Sequence, residues 1–102
     1  MKLLTDKNFK DEAKNGIVVV DLFAEWCGPC RALSPILEEL DGKIEGVVFT
    51  KLNVDDSPST AAEFGVMSIP TVLFLKDGKE VKRVVGLFPK SAYVDALNEV
   101  KK

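Results

Sequence analysis

The chain has 102 residues, of which 46% are hydrophobic and 29% charged; this excludes disorder and supplies enough apolar side chains for a core without staples. The net charge of −2 has no strong sign, so neither nucleic acid nor an anionic membrane surface is an expected partner. There is no histidine, which removes Cys–His nucleophiles, histidine metal ligands and histidine acid–base chemistry together.

The opening Met-Lys-Leu-Leu-Thr-Asp lacks the long apolar region of a signal peptide, and no apolar run reaches membrane-spanning length. A cytoplasmic protein forming one domain over residues 1–102, and a monomer, is expected. Residues 2–4 read as a short edge strand. Thr5 or Asp6 can N-cap a helix running to about Lys14 that buries Phe9 and Ala13, with Asn15-Gly16 as its stop. Residues 17–23, Ile-Val-Val-Val-Asp-Leu-Phe, are apolar on both faces apart from Asp21, the pattern of a central strand covered by helices on each side.

The segment Trp26-Cys27-Gly28-Pro29-Cys30 holds the only two cysteines and the only tryptophan. After it, Ala32, Leu33, Ile36, Leu37 and Leu40 recur at the spacing of one helix face. Cys27 is therefore expected at a helix N-terminus, where solvent and a partner can reach it, and Cys30 one turn inside, pointing inward and shielded by that turn. The helix stops at Asp41-Gly42, with a kink at Pro35 where a backbone donor is missing. Residues 47–54 form the next strand, and Ser57-Pro58 opens a short helix ending near Gly65. Strands over 71–76 and 80–85 flank Asp77-Gly78, a hairpin turn signal. A last helix over 90–100 directs Tyr93, Val94, Leu97 and Val100 inward. The sum is an α/β fold, a mixed sheet between two helical layers. Spacing alone leaves the strand order open.

The cysteines read as chemistry. Unpaired N–H groups and the macrodipole at a helix N-terminus favour negative charge, and thiolate is the reactive form of cysteine. As a structural staple, a loop this short contributes only about 1.9 kcal/mol in the chain-entropy model, against roughly 3 for fifteen residues. A zinc site cannot close within one chain on two cysteines and no histidine, which leaves a metal-bridged dimer as the alternative.

Trp-Cys-Gly-Pro-Cys after an apolar strand carrying Asp21, followed by Ser68-Ile69-Pro70-Thr71, resembles the thioredoxin family over essentially the whole chain. The resemblance implies a central sheet of four strands with the N-terminal strand as a fifth, and four helices around it. It implies a general protein-disulfide reductase with no bound cofactor, because the redox-active Cys27–Cys30 dithiol carries both electrons. Cys27 would attack a substrate disulfide and Cys30 would resolve the mixed disulfide. A thiol lowered from about 8.5 to the family's value of about 7 gains some fifteenfold in thiolate at pH 7. It returns roughly fivefold of that in nucleophilicity, so proximity of Cys30 and docking must supply most of the advantage.

Asp21 would accept the resolving thiol's proton, with Lys51 near it; the bland readings are a strand-end carboxylate meeting solvent and a solvated lysine. Gly28 permits close backbone approach and Pro29 fixes the turn. Gly-Pro between the cysteines is the family's reductant pattern, while an isomerase or oxidase and a non-enzymatic adaptor stay as rivals. Pro70 would be cis, although a trans bond is the ordinary case, and Ile69 would pair with substrate as an added strand. Trp26 and Gly86 would flank the site, a core tryptophan and a plain strand-end glycine being the alternatives. Partners implied are disulfide-containing proteins and a thioredoxin reductase, commonly the NADPH flavoprotein. Phe23 departs from a common tryptophan and Ser68 from a common glycine, which puts substrate preference and the packing under the active loop in question.

Overall fold

A computed structural model describes residues 1–102. The chain order is β1 (Lys2–Leu4), α1 (Phe9–Glu12), β2 (Ile17–Phe23), α2 (Gly28–Leu40), β3 (Val47–Asn53), α3 (Pro58–Glu63), β4 (Thr71–Lys76), β5 (Lys79–Val85) and α4 (Lys90–Val100). The strands form one mixed sheet in the order β1-β3-β2-β4-β5. β2 is parallel to β3 and antiparallel to β4, and β1 adds in parallel to the free side of β3. The antiparallel part is thus two strands wide, because β4 already runs against β2.

Alternation along the strands builds two cores. Val19, Phe49, Val72 and Phe74 point to one face, against Leu33, Leu37 and Leu40 of α2 and Tyr93, Ala96, Leu97 and Val100 of α4. Val18, Val20, Leu22, Leu52, Leu73 and Leu75 point to the other, against Leu4, Phe9, Ala13 and Ala61, with Phe64 meeting Phe9 edge-on at 5.5 Å. Three layers follow, and β2 is apolar on both sides because it is covered on both. At the hairpin, Asp77 and Gly78 both take positive φ (51° and 84°), the conformation that makes Asp-Gly a turn signal.

The helices differ from expectation in detail. Val94 is only half-buried and Ala96 takes its place, since 93, 96, 97 and 100 follow the helix face more closely. Ala32 is exposed and Ile36 half-buried, so the inner stripe of α2 narrows to Leu33, Leu37 and Leu40. Pro35 lies inside α2 on its exposed side, and the helix continues through it.

The largest difference is α1, a single turn whose N-cap position is Asn8. Asp6 does not cap its own helix because its carboxylate is committed elsewhere. It accepts the Ser59 N–H at 3.1 Å, the Thr60 N–H at 2.8 Å and the Thr60 hydroxyl at 2.7 Å. In return the Asp6 N–H donates to Ser57 Oγ at 3.2 Å. This is a reciprocal cap made between distant segments, and it uses the Ser57 hydroxyl that sequence alone assigns to capping α3 itself. The three donors hold the Asp6 carboxyl below its ordinary 3.8, led by the Thr60 hydroxyl. A group with a lowered folded pKa stabilises fully above the ordinary value and loses that contribution as acid protonates it. Asp6→Ala is therefore expected to lower Tm at pH 7, with Asp6→Asn falling between. The difference from wild type closes as pH drops below Asp6's folded pKa, which thermal scans at several pH values check.

Candidate active site

β2 leads into α2 through Ala24, Glu25 and Trp26, and Cys27 is the N-cap of α2 in extended conformation (φ −87°, ψ 110°). Its Sγ accepts the Cys30 N–H at 3.2 Å, the role a serine or aspartate oxygen plays at other helix starts. Pro29 occupies the first turn, where a missing N–H costs nothing. Gly28 is not required by the protein's own packing, since a Cβ there would meet only Arg31 Nη2 at 4.0 Å.

Cys27 and Cys30 are joined as a disulfide, with Cα atoms 5.3 Å apart. The expected contrast between a reachable Cys27 and a hidden Cys30 is absent here. Cys27 is 4% exposed and Cys30 3%. In the oxidised pair Cys27, Cys30 and Ala24 form one small buried cluster, with Phe23, Val54 and Ile69 packed against it. The asymmetry lies in what each residue faces. Cys30 lines a cavity of about 170 Å³ with Asp21, Lys51, Ser34 and Arg31, whereas Cys27 does not.

Asp21 is 2% exposed, and its Oδ1 has no hydrogen-bond partner. Burial pushes its carboxyl up to about 7, against a smaller lowering by the Lys51 charge. Lys51 stands opposite Asp21 in the β2–β3 register, yet the two form no ion pair; the ammonium sits 5.8 Å above the Phe23 ring. The solvent-facing reading of Asp21 is thereby overturned. It points into the α2–α4 layer beside Cys30.

Trp26 is 69% exposed, with its indole N–H donated to Asp55 Oδ2 at 2.8 Å. Asp55 is itself held by the Asn53 side chain, whose Oδ1 accepts the Asp55 N–H at 2.9 Å and the Asp56 N–H at 3.3 Å. Neither Asn53 nor Asp55 stood out in the sequence, although Asn-Val-Asp-Asp-Ser-Pro after a strand is a side-chain-braced turn signal.

The Ile69–Pro70 bond is cis and Pro70 is buried. The backbone of Met67, Ser68 and Ile69 makes no backbone hydrogen bond, and Thr71 Oγ1 braces the segment by donating to Ser68 O at 2.7 Å. With Trp26, Val54, Ala61 and Val66, Met67 and Ile69 line an apolar groove of about 390 Å³ beside the disulfide. Gly86 is tied to Pro70. Its N–H donates to Pro70 O at 2.9 Å, and its φ of +105° disfavours a side chain. Phe23 packs under the cysteines and Ser68 is exposed.

The thioredoxin family model matches residues 1–99. The chain belongs to the thioredoxin family. It is 46% identical to the thioredoxin of Chlamydia caviae over 99 residues, which is 97% of each chain. It is 47% identical to the thioredoxin of Staphylococcus saprophyticus over 94% of this chain and 93% of that one. Thioredoxin 2 of Chlorobaculum tepidum matches at 47% over 93% of this chain and 90% of its own. As a thioredoxin-family member with its Cys-Gly-Pro-Cys pair at disulfide distance, the protein is a thiol-disulfide oxidoreductase, and the Cys27–Cys30 disulfide is its redox group.

Proposed function

We propose that this chain works as a general protein-disulfide reductase in which Cys27 attacks, Cys30 resolves and Asp21 carries the resolving proton. The observation that carries the reading is that Cys30, and not Cys27, shares a cavity with the buried, unpartnered carboxyl of Asp21. In the first step the Cys27 thiolate, stabilised by the Cys30 N–H and the start of α2, attacks one substrate sulfur. A mixed disulfide forms, and the other substrate sulfur leaves as thiolate and takes up a proton.

In the second step the Cys30 thiol gives its proton to Asp21 across the cavity and attacks Cys27 Sγ. The second substrate thiol leaves, and the two electrons of the dithiol have passed to the substrate. A carboxyl that titrates at about 7 can accept and release that proton near neutral pH. Lys51 supplies a nearby positive charge that favours the ionised form.

Substrate docking is assigned to the groove and its rim: Trp26, braced by Asp55, with Gly28, Pro29, Ile69, Pro70 and Gly86. Backbone at Met67–Ile69 that makes no bond to other backbone suits an added substrate strand, and the exposed Gly28-Pro29 turn leaves room for it. A thioredoxin reductase, the NADPH flavoprotein, is the proposed recycling partner, and the cytoplasm the proposed location. No helix is long and apolar enough to cross a membrane.

The experiment is insulin reduction driven by dithiothreitol, together with the Cys27–Cys30 reduction potential. Acceleration of insulin precipitation with a potential near about −270 mV is expected, against about −180 mV for an isomerase. No acceleration would mean a binding module, and a potential at the oxidising end would mean an oxidase or isomerase.

A further inference from the structure

α4 packs on the sheet through Tyr93, Ala96, Leu97 and Val100, and any apolar side chain of suitable size at 93 would fill that place. The hydroxyl is what packing does not need. Tyr93 is 0% exposed, and a buried phenol requires polar partners. It finds two, both in the segment that joins β5 to α4. The Phe88 N–H donates to Tyr93 Oη at 3.2 Å, and the Tyr93 hydroxyl donates to Gly86 O at 3.3 Å. Burial, opposed by the Phe88 N–H and aided by the Asp21 charge, raises the phenol above its ordinary 10, so the hydroxyl keeps its proton.

Residues 86–88 have only one other hydrogen bond, from the Gly86 N–H to Pro70 O. A single side-chain oxygen therefore supplies two of the three bonds that hold this segment. The segment is hydrogen-bonded to Pro70 beside the disulfide, and its side chains are apolar and open, Leu87 44% and Phe88 46% exposed, with Val85 at the end of β5 48% exposed. The Phe88 ring lies over Gly86, 3.4 Å from where a Cβ would stand. An apolar strip left open and tied to Pro70 through the Gly86 N–H suits contact with whatever the site acts on.

We infer that Tyr93 is a positioning residue for protein substrates: its hydroxyl ties residues 86–88 to α4 and so presents Leu87 and Phe88 beside Pro70 as an apolar docking edge. The occupant is the polypeptide around a substrate disulfide. This extends the reductase reading and rests on it. A small disulfide needs no such edge, so the two kinds of substrate should separate.

Tyr93→Phe keeps the ring and removes both bonds. Expected is a rise in KM for insulin of about three- to tenfold, the ordering cost of one or two interface side chains. kcat, the reduction potential and the rate with the small aromatic disulfide dithiobis(nitrobenzoate) should stay within twofold of wild type. Phe88→Ala should raise the insulin KM similarly, and the double variant should be little worse than either single one, because both act through the same segment. An unchanged insulin KM in Tyr93→Phe overturns the inference. So does an equal loss with the small disulfide, a shifted potential, or full additivity with Phe88→Ala. If wild type fails to reduce insulin at all, the reductase reading falls first. If wild type reduces it and Tyr93→Phe matches it, only the docking role falls.

Discussion

Cys27→Ser is expected to leave a folded protein that no longer accelerates insulin reduction by dithiothreitol, with a loss of at least about a thousandfold, because the attacking sulfur is gone and Cys30 alone is the resolving thiol of a mixed disulfide that never forms. The folded state should survive. Its lost cross-link closes so short a loop that the chain-entropy model gives it about 1.9 kcal/mol. A circular-dichroism melt separates inactivity from unfolding. The companion Cys30→Ser should behave differently: the first step proceeds, and a mixed disulfide with substrate accumulates that mass spectrometry detects. If instead Cys27→Ser trapped substrate and Cys30→Ser did not, the roles of the two cysteines would be reversed. The cavity that Cys30 shares with Asp21 would then serve the attacking thiol.

Asp21→Asn should raise stability and slow turnover together. The carboxyl titrates at about 7 in the folded protein, pushed up by burial, against an ordinary 3.8. Between those values the folded state holds a proton that the unfolded chain has released, so unfolding free energy falls as pH rises. The decline begins near the ordinary value, ends just above the folded pKa, and is of order 4 kcal/mol at about 1.4 kcal/mol per pH unit. Asn has no charge to bury. Its variant should lack this slope and exceed wild type by roughly 2–4 kcal/mol at pH 8, the lower figure allowing for unpartnered amide atoms. Denaturant titrations from pH 4 to 8 check it, and a variant that keeps the wild-type slope would refute it. In stopped-flow work the same substitution should slow the resolving step about a hundredfold, at the lower end of general-base effects, and the first step far less. Equal slowing of both steps would remove Asp21 from the proton transfer.

These two expectations differ in how far the chain itself announced them. The spacing of Cys27 and Cys30 at the start of an apolar helical stripe is local, and local order sets where a helix begins. Strands β2 and β4 and the Asp-Gly turn were legible for the same reason, since side-chain alternation and turn chemistry act over a few residues. Asp21 was visible as a charge in an apolar run. Its depth beside Cys30 was not, because burial depends on α2 and α4 covering that face.

Longer-range contacts explain the misreadings. Asp6 looked like a cap for the helix that follows it, but a carboxylate goes to whichever donors the fold brings nearest, and those are on α3. Asp55 and Tyr93 looked ordinary because their partners, Trp26 and the 86–88 segment, meet them only after the sheet has closed. The exposure expected for Cys27 failed similarly, since Val54 and Ile69 arrive from other parts of the chain.

Alone, the order of residues determined the class of fold, the redox pair and its place at a helix start, because propensity, alternation and capping act between near neighbours. Tertiary structure decided which sulfur faces the buried acid, what braces Trp26 and what holds the edge beside Pro70. Those depend on desolvation and on hydrogen bonds between segments far apart in sequence, which exist only once the layers have packed.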